Sequence, residues 1–183
     1  MMKIKEKDII DVACKKYKEV KNSGSIKFNT LDIWLDKESN LFKKETETSN
    51  KNYKMFKRGQ IIKVDFGINL GAEICYTHFA IVLTKQDSIN SDNLTVVPIT
   101  SKMGKYNKRL SICKILKSVY PNSKKYNLNC YVNVSQIKTI SKSRIFKEKK
   151  CFVCSSDILN KIDDAIILEF TNKKLENCDS RIE

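Results

Sequence analysis

The apolar side chains change period near residue 55, and this change decides which parts of the chain can form helices and which must form strands. Ahead of it, Ile4, Ile9, Ile10, Ala13, Tyr17 and Val20 recur at three- and four-residue spacing, which predicts a helix over 4–21. Asn22, Ser23 and Gly24 stop that helix, the glycine supplying a left-handed turn. A second helix is expected to begin behind Thr30 as its N-cap, with Leu31, Ile33, Trp34, Leu35, Leu41 and Phe42 as its apolar stripe. The run 43–52 is polar throughout and reads as a linker. Residues 1–45 are thus expected to form a helical hairpin arm, 46–55 a linker, 56–175 a second domain and 176–183 a tail.

Beyond the change, β-branched runs at 60–66, 78–84 and 94–100 are expected strands, and 109–115 and 128–134 are two more. The 11 residues of 67–77 include two glycines, and loops of that length between short strands are more often functional than idle. One short helical turn is expected at 135–140. Ile158, Leu159, Ile162, Ala165, Ile166 and Phe170 give an amphipathic helix over 155–171, capped by Ser155 or Ser156 and carrying Asp157 near its positive end. The fold class is therefore α+β: a small, strongly curved antiparallel sheet or SH3-like partial barrel closed by a C-terminal helix, with a helical hairpin before it.

Charge narrows the partners. Residues 55–150 hold 18 basic and 5 acidic side chains, whereas 1–54 hold 13 and 9 and 151–183 hold 4 and 7. A lysine-rich composition alone would spread evenly, so the excess in the middle segment marks a polyanion-binding surface. An anionic membrane would call for a basic amphipathic helix with an aromatic apolar face, and none falls in that segment. Nucleic acid is the better partner. No apolar run approaches the roughly 18 residues of a membrane helix, and the charged start lacks a secretory core, so a cytoplasmic protein is expected.

Seven cysteines, an odd number, form no small disulfide framework. Cys151 and Cys154 make a C-x-x-C, but with no second such pair and one histidine in the chain a zinc site lacks its remaining ligands. Alternate thiols of an apolar strand account for the pair. No metal or other cofactor is expected.

Four motifs, in order, then resemble the MazF/PemK toxins. Arg58, Gly59, Gln60, Ile61 and Ile62, followed by Val64, Asp65, Phe66 and Gly67, resemble that family's opening strand. Gly71, Ala72 and Glu73 stand where the family has Gly-Ser-Glu, and the run from Phe79 to Leu83 where it has its second strand. Val96, Val97, Pro98, Ile99 and Thr100 resemble the strand ending in Ile-Thr. Gln136, Ile137, Lys138, Thr139 and Ile140, then Arg144, are similar to Gln-Ile-Arg-Thr-Ile followed by a basic residue. The resemblance covers roughly 57–172 and leaves the N-terminal arm unexplained.

It implies a plug-like fold, a homodimer, and metal-independent cleavage of single-stranded RNA at short sequences. It also implies a partner antitoxin whose disordered segment occupies the RNA groove. Two positions depart from the pattern: His78 and Phe79 replace the family's Arg-Pro, whose arginine is a principal catalytic residue, and Ala72 replaces its serine.

Metal-free RNA cleavage requires a base for the ribose 2′-hydroxyl, an acid for the departing 5′-oxygen, and cationic or N–H support for the phosphate. Histidine is the side chain whose unperturbed pKa suits proton transfer near neutrality. The single histidine of the chain, His78, falls where the family has its catalytic arginine, so His78 is a candidate general acid or base. Thr100, at a strand end, is a candidate for positioning the reacting hydroxyl or phosphate. Glu73 and Gln136 match family positions that touch RNA bases, and Tyr76 is placed to stack a base. Arg58, Lys102, Arg109 and Arg144 are candidate phosphate contacts, since arginine is sparse here, 4 against 31 lysines. Three other roles compete: a nucleic-acid-binding module that has lost cleavage, a toxin acting on a protein such as gyrase, and an assembly subunit using Trp34, Leu35, Leu41 and Phe42 as an exposed anchor.

Overall fold

The computed structural model describes residues 6–47, 53–101, 109–111, 130–147 and 152–172. The chain divides into two compact units, one comprising Met1–Asn50 with Gly67–Leu70, the other Lys51–Phe66 with Gly71–Glu183.

In the first unit, helix α1 spans Glu6–Lys21 and helix α2 spans Leu31–Glu47. Gly24 turns the chain between them at φ 78°, as its position after the helix predicts. Lys21 bonds Asp32 at the start of α2, and that hydrogen bond is the main cause holding the Asp32 carboxyl below its ordinary pKa. Helix α2 continues into the stretch expected to be linker. Good helix formers and an i,i+4 pair between Lys43 and Glu47, 3.9 Å apart, extend it there. The expected exposed anchor is also corrected in part: Phe42 is exposed, but Trp34 is buried. Its ring lies against Gly67, where an added Cβ would stand 2.3 Å from Trp34 Cζ2.

The second unit is built on seven strands among the described residues. They are β1 Gln60–Asp65, β2 Thr77–Val82, β3 Asn93–Thr100, β4 Arg109–Ser111, β5 Tyr131–Asn133, β6 Lys138–Ser141 and β7 Phe152–Val153. The sheet order is β4-β5-β3-β2-β1-β7, with β6 also paired to β3. The expected helical turn at 135–140 is shorter than its sequence suggested: a 3-10 turn covers Val134–Gln136, and Lys138 onward is strand. Strands β5 and β6 share one edge of β3, Val132 opposite Ile99 and Lys138 opposite Val96, so the 3-10 turn is an insertion in one interrupted strand. Of the expected strands at 109–115 and 128–134, residues 112–115 and 128–129 lie outside the described residues.

Curling brings the far edge back onto β1. After β6, Ile145 bridges Val64, and Phe146 N–H donates to the Lys63 carbonyl at 2.9 Å. Two apolar layers result, because alternate side chains of a strand face opposite ways. On one face Ile61, Phe79, Ile81, Val97 and Ile99 pack with Ile162 of helix α3, Ser156–Phe170. On the other, Ile62, Val64, Phe66, Ala80, Val82, Leu94, Val96 and Ile140 fill the concave side. Cys154 belongs to the first layer, and burial pushes its thiol up to about 11, whereas Cys151 lies outside the described residues. A neutral core thiol is what the apolar-strand reading of that pair describes. Among the described residues, no helix is long and apolar enough to cross a membrane.

Candidate active site

Strand alternation puts His78 and Thr100 on one face of the sheet. Ala80 pairs with Pro98 and Val82 with Val96, so His78 and Thr100, each two residues beyond the last pair, lie on the face that Ala80 and Pro98 share. The pairing of β2 with β3 ends at Ala80 and Pro98, while on the other edge of β3 Ile99 and Thr100 pair with Val132 and Tyr131 of β5. The His78 ring reaches the end of β3, its Nδ1 lying 3.3 Å from the Ile99 carbonyl oxygen. A carbonyl only accepts, so this long hydrogen bond puts a proton on Nδ1 and leaves Nε2 of the neutral ring as an acceptor. Phe66 meets the imidazole edge-on at 6.5 Å between centroids and limits its swing. His78 is half-buried, neither sealed in the core nor fully solvated.

The chain between β1 and β2 supplies the next residues. Tyr76 is exposed and takes φ 65°, the one non-glycine positive φ among the described residues. Such a conformation costs on the order of 1–2 kcal/mol, and here Tyr76 also accepts from Phe66 N–H at 2.9 Å. Two residues earlier, Ile74 N–H donates to Gln136 Oε1 at 3.0 Å. Glu73 meets Lys138 Nζ at 3.6 Å. Gln136 and Lys138 lie in and just beyond the turn that interrupts the β5–β6 edge, so the turn and the loop are tied side by side. Lys138 shares the concave face with Val96, the residue opposite it.

Arg144 closes the 3-10 turn Lys142–Arg144, immediately before the bridge from Ile145 to Val64. Val64 pairs with His78 on its other side. Arg144 therefore approaches the same end of β1 as His78, from the opposite edge. A buried ion pair fixes this turn: Lys142 Nζ lies 2.7 Å from Asp87 Oδ1, with side chains 2% and 1% exposed. Lys142 also donates to the Ser88 carbonyl at 2.9 Å, and Asp87 accepts from Phe56 N–H at 2.8 Å. Burial alone raises the Asp87 carboxyl, but the Lys142 bond and the N–H groups of Phe56 and Ser88 together hold it below its ordinary value.

Not every sequence-derived residue gathers here. Arg58 precedes the other end of β1, whose first residue Gln60 lies about 13 Å of strand from Val64, the partner of His78. It donates to the Leu83 carbonyl at 2.6 Å and pairs with Asp163 of α3. Its guanidinium ties the helix to the sheet, away from His78. Arg109 opens β4, with its backbone opposite Asn133. Lys102 lies outside the described residues. Sequence reading gave Lys138 no role, although it stands at the arginine position of the Gln-Ile-Arg-Thr-Ile motif, and missed the Asp87–Lys142 pair, because one lysine among 31 shows no partner until burial singles it out.

A curled antiparallel barrel with a histidine and a threonine on the rim of its concave face, and a loop tied beside them, is the class of structure this chain builds. It belongs to the PemK-like, MazF-like toxins of type II toxin–antitoxin systems, whose family model matches residues 57–170. Among solved structures it is similar to a mycobacterial endoribonuclease in complex with its cognate antitoxin, at 17% identity and TM-score 0.42, covering 62% of this chain and 93% of that one. It is also similar to MazF from Deinococcus radiodurans, at 13% identity and TM-score 0.46, covering 64% of this chain and 97% of that one. No curated protein matches.

Proposed function

We propose that this toxin is an endoribonuclease that cuts single-stranded RNA at a short sequence without a metal ion, using His78 and Thr100. The observation that supports the reading is the 3.3 Å approach of His78 Nδ1 to the carbonyl oxygen of Ile99, the residue before Thr100. Nε2 of His78 takes the proton of a ribose 2′-hydroxyl. The freed O2′ forms a bond to phosphorus while the bond from phosphorus to O5′ breaks, and the departing oxygen takes a proton from solvent. The products are a 2′,3′-cyclic phosphate and a 5′-hydroxyl. Thr100 positions the phosphate from the strand opposite.

Arg144 supplies the nearby positive charge, Glu73 and Gln136 read base edges, and Tyr76 offers an exposed ring for stacking. Lys102 and Arg109 contribute phosphate contacts from the β3–β4 segment. The basic excess of residues 55–150 supports a nucleic-acid substrate. Membership of a type II toxin family supports an antitoxin partner that blocks the same surface, and the family resemblance adds a homodimer working in the cytoplasm. The test is incubation of long RNA with the protein in EDTA. Cleavage by the unsubstituted chain and its loss in His78→Ala are expected; intact RNA with a salt-dependent complex would instead make the protein a binding module.

A further inference from the structure

We infer that Lys138 is an RNA-phosphate contact that the free protein keeps occupied with Glu73, so that RNA binding exchanges a carboxylate for a backbone phosphate. The inference rests on the proposed RNA-binding function and extends it to a residue to which the sequence motifs gave no role. Three observations carry it. First, Lys138 stands on the same face as His78 and Thr100: it pairs with Val96, which pairs with Val82 on the other side. Three residues of β3 lie between Val96 and Thr100, about 13 Å of strand from one to the other, so the Lys138 ammonium serves a phosphate other than the one being cut.

Second, the present partner is weakly held. The ammonium and the Glu73 carboxylate are 3.6 Å apart, with side chains 41% and 54% exposed. A pair so solvated contributes little and is easily replaced by an anion of higher charge density. The contrast with Lys142 is instructive, since that ammonium is sealed with Asp87 and cannot change partners. Third, release of Glu73 is local. Ile74, the next residue, stays bonded through its N–H to Gln136, so the carboxylate can turn away without unfolding the loop. A freed Glu73 then accepts from a base edge, and one exchange sets both contacts.

The exchange is tested by binding of a non-cleavable 2′-O-methyl oligouridylate, read by fluorescence anisotropy over a range of potassium chloride. Lys138→Ala is expected to weaken binding about three- to tenfold and to reduce the slope of log K against log salt by about 0.7, the value for one phosphate on a single strand. Lys138→Arg should keep the slope. Glu73→Gln should tighten binding about two- to fivefold by removing the competing carboxylate, and the gain should vanish when Lys138→Ala is added. An unchanged slope in Lys138→Ala, or the same gain from Glu73→Gln with and without Lys138, overturns the exchange while RNA binding stands. No binding by the unsubstituted protein overturns the exchange together with the RNA-binding reading. Thermal unfolding of each variant separates lost fold from lost contact, and Lys138→Arg preserves the test if the alanine variant unfolds.

Discussion

His78 carries two constraints at once, a hydrogen bond from Nδ1 to the Ile99 carbonyl and an edge-on contact with Phe66. Both orient the ring, so replacing it removes a positioned proton acceptor as well as a side chain. His78→Ala is expected to lower RNA cleavage by about 10²- to 10⁴-fold, the range for a general base, measured as initial rates on a labelled oligonucleotide. His78→Arg separates two roles: recovered activity would make position 78 a cation site, and continued loss supports proton transfer. The sequence exposed this residue because it is the single histidine of the chain and stands in a recognisable motif order. It did not expose Arg58's bonds to the helix side. An arginine beside a strand looks the same whether it faces phosphate or, as here, Asp163 and the Leu83 carbonyl on the helix side.

Among the elements, the 3-10 turns were least legible, because three residues carry no period to read. The turn Val134–Gln136 interrupts an otherwise continuous strand, and the turn Lys142–Arg144 is pinned from beneath by Asp87. Asp87→Ala leaves the Lys142 ammonium buried and unpaired, and about 3–5 kcal/mol of stability should be lost in urea unfolding. The same pair has a pH signature. A carboxyl held below its ordinary value stabilises the fold above about pH 4, near its unfolded pKa, and that contribution is lost as pH falls through the lowered folded value. Unfolding followed from pH 7 downward should show the acid loss, and Asp87→Asn should flatten it; an equal acid loss in that variant would remove Asp87 as the cause. Helix α3 makes its own contribution through Ile162, which is fully buried under the sheet. Its helical spacing was plain in sequence, whereas its partner layer depended on how the sheet curls.

For the whole molecule, the change of period near residue 55 and the order of the motifs made the architecture legible before any contact was known. What stayed hidden was everything set by register and closure: Lys138 facing Glu73, Ile145 reaching Val64, and Trp34 covering Gly67. Closure also explains the behaviour expected of the thiols. Cys154 lies in the core with its pKa pushed to about 11, while Cys14 is exposed on α1. A thiol reagent at neutral pH should label Cys14 readily and Cys154 only on unfolding, read by peptide mass; rapid native labelling of Cys154 would show that the sheet–helix layer opens. The charge distribution acts at the same scale: in the proposed function the basic middle segment draws RNA to the barrel while geometry selects the bond.

That selection is read by mapping the cut positions and 3′ ends of a long RNA incubated in EDTA with the unsubstituted protein and with His78→Ala. The expected result is a 2′,3′-cyclic phosphate at one short recurring sequence, lost in the alanine variant. Undiminished cleavage without the imidazole, or RNA left intact by the unsubstituted protein, would contradict a nuclease built on His78 and Thr100.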